Sequence, residues 1–143
     1  LRAISGDIEM SIKRLTKEDI RRTTGTLNPV GHVVLAFADD AVTADAVAAL
    51  HAAGLADDDI LHYLAADATP RLQERVRTAS GAAGFGYEIT LMRRYLALAE
   101  AGAGWLIVYA PTDDAVRRIT DVATRFHALC AVRYHRLANE DLV

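Results

Sequence analysis

The chain has 143 residues, of which 52% are hydrophobic and 24% charged, enough for one domain with an adequate core and too apolar for a disordered segment. Its formal net charge of −3 argues against a dedicated nucleic-acid binder, whose affinity comes mainly from Lys and Arg on phosphates. No apolar run approaches the ~18 residues of a membrane span, and no charged-then-apolar leader opens the sequence, so the expectation is a cytoplasmic protein with neither membrane nor nucleic acid as partner.

Residues 1–31 read as an N-terminal arm. Thr16-Lys17-Glu18-Asp19 resembles a capping box, with Asp where Glu or Gln is usual, and predicts a short helix over about 16–23 that stops before Gly25. Lys13, Arg14, Lys17, Arg21 and Arg22 form a modest basic cluster diluted by Glu9, Glu18 and Asp19, which is the pattern of a solvated face.

Residues 32–143 read as a single α/β domain. The first strand, His32–Ala38, is apolar without alternation, the mark of a central strand covered on both faces. Asp39-Asp40 then opens a helix of about 41–53, with Val42, Ala46, Ala49, Leu50 and Ala53 at helical spacing and Gly54 as its stop. Asp57-Asp58-Asp59 leads into a strand over Ile60–Ala65. After a connector the plan returns: strand Trp105–Ala110, then Pro111-Thr112-Asp113-Asp114 and a helix of about 113–127, strand Ala131–Leu137, and a tail Asn139–Val143. Units 32–65 and 105–138 thus share the frame strand, Asp-Asp-Ala-Val, helix, strand ending in His-x-Leu-Ala.

The connector, 66–104, is too long for a plain loop. Thr69-Pro70 reads as a helix start, with Thr as the cap and Pro first in the helix, and Leu72, Val76 and Ala79 share a face. Gly81, Gly84 and Gly86 interrupt, and a second helix of about 87–101 follows.

These elements predict an α+β fold: a ferredoxin-like plait from a duplicated β-α-β unit, with a helical connector between the repeats and an N-terminal helical arm. Right-handed crossovers make strands one and three central and strands two and four the edges. The two repeat helices cover one sheet face. The other, equally apolar, needs either the connector or a second copy of the chain, and the expectation is a homodimer packed sheet to sheet.

The histidines do not suggest a metal centre. His62 and His135, at matching places in the two units, fall on opposite edges about 14 Å apart at ~4.8 Å per strand, too far for one metal. His51 and His127 lie late in helices and His32 opens a strand. No His-x₃-His or Cys-x₂-Cys spacing occurs, so neither a metal nor a cofactor is expected. Lone Cys130, in an apolar run, reads as a buried inert thiol. The Asp pairs read as caps and dipole partners. No Gly-x-Ser-x-Gly is present.

The candidate ligand site is the glycine-rich break. Gly84 and Gly86 permit close backbone approach, and Tyr87, Arg93 and Arg94 follow within two turns, where the arginines suit an anion.

The strand-Asp-Asp-Ala-Val-helix-Gly-Leu unit at 33–65, followed by the glycine-rich connector, resembles bacterial general-stress-protein domains. That resemblance implies a non-catalytic, stress-associated protein and brings no site residues. The functional expectation is therefore a non-enzymatic stress-associated interaction or regulatory module. The alternatives are a small-molecule or anion sensor with its site near the connector, and a cofactor-free enzyme using His62 or His135 with Tyr63 or Tyr134.

Overall fold

A computed structural model describes residues 12–83, 86–136 and 138–143, the backbone alone at 80–83. Five strands form one antiparallel sheet: β1 (His32–Phe37), β2 (Ile60–Tyr63), β3 (Gly104–Tyr109), β4 (Cys130–Tyr134) and β5 (Asn139–Asp141). Their order is β2-β3-β1-β4-β5. Among the described residues five α-helices accompany them: α1 (Lys17–Arg22), α2 (Asp40–Ala52), α3 (Ala65–Ala83), α4 (Tyr87–Glu100) and α5 (Asp113–Arg125).

The unbroken apolar run of β1 has its cause in this order. β1 lies between β3 and β4, with Val34 opposite both Ile107 and Val132. Successive side chains alternate between faces. Val33, Leu35 and Phe37 meet Leu106, Val108 and Ala131 on one face, under Ala46 and Leu50 of α2 and Ile119 and Ala123 of α5. Val34 and Ala36 meet Trp105, Ile107 and Val132 on the other, under Leu72 of α3 and Met92, Tyr95 and Ala99 of α4. Each large side chain buried this way is worth about 1.5–3 kcal/mol. The second apolar face, which argued for a homodimer, is thus covered within the chain by the connector helices.

Three sequence expectations need correction. First, the connector helix begins at Ala65, so β2 ends at Tyr63 and Pro70 lies inside α3. The free N–H of Ala65 donates to Asp40 Oδ1 at 2.9 Å, and the carbonyl of Leu64 accepts from Asp67 and Ala68. This start is therefore secured before Thr69, whose hydroxyl turns back to the Ala65 carbonyl. Second, residues 139–141 of the expected tail pair with β4, so β4 is not an edge. His135, expected on an edge strand, follows the end of β4, where its N–H donates to the Ala138 carbonyl at the turn into β5. Third, α5 ends at Arg125, and His127 adopts a left-handed conformation (φ 55°).

The two Asp-Asp-Ala-Val segments occupy different helix positions. Asp39 caps α2, accepting from the Val42 N–H at 2.9 Å. In the second unit the cap is Thr112, which accepts from the Ala115 N–H, so Asp113 and Asp114 lie one step further into their helix. Gly104, opposite Phe37, lets α2 approach β3 closely, because a Cβ there would collide with the Thr43 hydroxyl.

Candidate functional site

The described part of the arm, 12–31, packs on the sheet face that α3 and α4 cover. Its capping box forms as the sequence predicts: Thr16 Oγ1 accepts from the Asp19 N–H, and Asp19 Oδ2 accepts from the Thr16 N–H. Hydrogen bonds from Asp19's backbone and side-chain partners hold its carboxyl below the usual range. Ile20 enters the core, and Leu15 and Leu27 pack beside it. Much of the basic cluster is paired at the surface, Lys13 with Asp19, Arg14 with Asp59, and both Arg21 and Arg22 with Glu18. Lys17 instead stands over the Tyr63 ring, 4.7 Å from its centroid.

Arg75 fastens the arm from α3. It is 9% exposed, and its guanidinium donates to the carbonyls of Ile20 (2.7 Å) and Gly25 (3.1 Å) and to Thr23 Oγ1 (2.8 Å). These carbonyls lie at and beyond the end of α1, where a cation is favoured; the Ile20 carbonyl also accepts from the N–H and hydroxyl of Thr23. Burial lowers the Arg75 pKa from its ordinary value.

Between arm, α3 and sheet lies a cavity of about 400 Å³. Its walls include Ile20 and Leu27 from the arm side, Ala68 and Leu72 from α3, and Val34 and Ile107 from the sheet. Ala68, Leu72 and Arg75 share one helix face by their spacing of four and three residues. Tyr63, Trp105 and Tyr95 supply aromatic lining. Tyr63 of β2 and Trp105 of β3 are direct cross-strand partners, and the Tyr95 ring meets Trp105 edge-on at 5.2 Å. Arg21, Arg71 and Glu74 also contribute to the lining.

Two residues of this lining each carry a polar atom without a partner. Tyr63 Oη and Trp105 Nε1 are buried without a hydrogen bond among the described residues, although most buried polar groups are paired. Burial pushes the Tyr63 phenol up, and Arg71, Arg75 and Arg21 pull it down. In contrast, Tyr95 Oη and Tyr134 Oη satisfy each other at 2.8 Å.

Of the candidate residues singled out from sequence, Tyr63 lines this cavity, whereas those of the glycine-rich break are not gathered into it. Gly86 precedes α4 with φ 112°, a conformation that favours glycine. Tyr87 is 53% exposed and lines a separate, more polar hollow with His135 and Arg136. Arg94 reaches the Leu129 carbonyl, and Gly86, Arg93 and Arg94 line neither hollow. Gly84 lies outside the described residues. His62 is half-buried with an unpaired Nε2 and a lowered pKa, chiefly from burial and then from Lys17, but it does not line the cavity; nor does His135, which pairs with Glu140. Among the described residues no three His, Cys, Asp or Glu side chains converge as a metal site, and no helix is long and apolar enough to cross a membrane.

Arg75 had a legible signal: it interrupts the apolar stripe of Leu72 and Ala79. The sole tryptophan, Trp105, stands in a strand whose neighbours Leu106, Ile107 and Val108 offer its indole N–H no side-chain acceptor.

Comparison with protein-family models, curated proteins and solved structures finds no match to this chain.

Proposed function

We propose that this chain is a small-molecule-binding regulatory domain, with its ligand held in the cavity under the N-terminal arm. The observation that carries this reading is an apolar cavity two of whose lining residues, Tyr63 and Trp105, each carry a buried polar group without a partner. Ligand sites characteristically combine apolar walls with a few placed polar groups, at volumes of about 300–1,000 Å³.

We read the scaffold as a ferredoxin-like plait from a duplicated unit. The order β2-β3-β1-β4, with α2 and α5 on one face, supports this. The connector and arm are additions on the opposite face, and they build the cavity with the sheet. A sensing role is favoured over a surface that recruits partners, because the apolar sheet face is spent on α3 and α4.

A screen of melting temperature against small molecules with an apolar body and one polar head tests the reading. A ligand at a hundred times its Kd stabilises by about 2.7 kcal/mol. Upward shifts that vanish when Ala68→Phe narrows the cavity are expected. A flat response across the screen would count against ligand binding.

A further inference from the structure

Resting on that reading, we propose that the ligand is an organic carboxylate: an apolar body against Trp105, Leu72 and Ile107, and an acidic head taken by Arg71 and the Tyr63 hydroxyl.

The charge around the cavity favours an anion. Arg21, Arg71 and Arg75 contribute to its lining, against one carboxylate, Glu74. Glu74 is already paired with Arg77, and Arg21 with Glu18. Arg75 is buried, yet every acceptor it meets among the described residues is neutral: two carbonyls and a hydroxyl. Arg71 makes no ion pair or hydrogen bond with the described residues, and its positive charge acts on both Arg75 and Tyr63. Among the described residues neither guanidinium is paired with a carboxylate, and the two act on each other. A partly buried charge without a counter-charge is costly, and a bound carboxylate would offset that cost.

Geometry assigns the parts. Arg75 is committed to the arm, so its charge acts at a distance. Arg71, one helical turn earlier on α3, is exposed and has its planar donor fork available for a carboxylate. The Tyr63 hydroxyl has no partner and almost no open surface, so the ring must turn slightly to present it to the head, in a place where three arginines exert their field. A phenol donating to an anion in such a place forms a strong, charge-assisted bond. The aromatic and aliphatic remainder of the lining offers little to a second charge, which favours a monoacid over a diacid.

The test compares octanoate and 4-phenylbutyrate with octanamide and 4-phenylbutyramide, read by the emission of sole Trp105 and by melting temperature. Each acid is expected to bind at least about tenfold more tightly than its amide. Arg71→Gln, at an exposed position that leaves the fold intact, is expected to remove most of that difference while the amides bind as before. Tyr63→Phe should narrow it too. Equal affinity of acid and amide in the wild-type protein would overturn the acidic assignment and leave the ligand site standing. An acid preference untouched by Arg71→Gln and Tyr63→Phe would overturn the assignment of the head. Failure of all four compounds to bind would overturn the acidic assignment for these bodies, and a flat screen of neutral compounds as well would remove the ligand reading beneath it.

Discussion

The backbone N–H of Leu15 donates to Nε2 of His32 at 3.1 Å, tying the arm to the first residue of the central strand. On the other side of the ring, Nδ1 lies 3.0 Å from the Val30 carbonyl. A donor facing Nε2 and an acceptor facing Nδ1 assign the neutral ring with its proton on Nδ1. Protonation would place a hydrogen on Nε2 and break the bond to the arm. The ring's other neighbours are Tyr109, 5.2 Å between centroids, and the charge of Asp59, which Arg14 engages at 2.8 Å.

That arrangement makes stability depend on pH. Burial lowers the His32 pKa more than the Val30 carbonyl and Asp59 raise it, so the unfolded chain takes up the proton first. His62 has the same sign. Stability is therefore full above the unfolded value of about 6.5 and falls as pH drops through and below it, until the folded rings protonate. Thermal melts between pH 8 and pH 5 should show this decline, and His32→Gln and His62→Gln should each flatten part of it. An unchanged slope in both variants would refute the assignment.

Arg75→Met should loosen the arm before it unfolds the domain. The substitution keeps an apolar stem but removes the guanidinium bonds to the Gly25 carbonyl, the Thr23 hydroxyl and the Ile20 carbonyl, which retains only its donors from Thr23. A loss of about 2–3 kcal/mol is expected from bonds to a charged group. Trypsin should then cut at Arg21 or Arg22 sooner than in the wild type, while the sheet core stays resistant.

The Tyr95–Tyr134 hydroxyl pair permits a cleaner energetic test. Burial raises both phenols, so neither ionises in the native state near neutral pH. Tyr134→Phe strands the Tyr95 hydroxyl at a cost of about 1–3 kcal/mol. The double change to phenylalanine should recover part of that loss, because it removes both polar partners together. Denaturant titration of the two single variants and the double variant measures the coupling.

Cys130 should be inert while the protein is folded. It is 2% exposed, and burial pushes its thiol up to about 11. A disulfide reagent at pH 8 should label it only slowly in buffer and at once in denaturant. Rapid labelling of native protein would contradict its burial.

Much of the sheet was legible because its signals are local. The continuous apolar runs of β1 and β3, the capping box at Thr16 and the cap at Asp39 depend on neighbours in sequence. The start of α3 was not legible, because its first N–H is satisfied by Asp40, 25 residues away. Nor was β5, whose Asn139, Glu140 and Asp141 have no strand pattern and are held by pairing with β4. The cavity was hidden for the same reason. Its lining joins the arm, β1, β2, α3, α4 and β3, whereas the residues of the glycine-rich break are adjacent in the chain. Arg75 was the exception, a charge set within an apolar stripe.

The most direct measurement is a titration of Trp105 emission with 4-phenylbutyrate and its amide, in the wild type and in Ala68→Phe. Ala68 lines the cavity, and the larger side chain takes up its space. A saturable change in the wild type, lost in a variant that still melts cooperatively, is the expected result. An unchanged curve in Ala68→Phe, or no saturable change with either compound together with a flat melting-temperature screen, would contradict a ligand site beneath the arm.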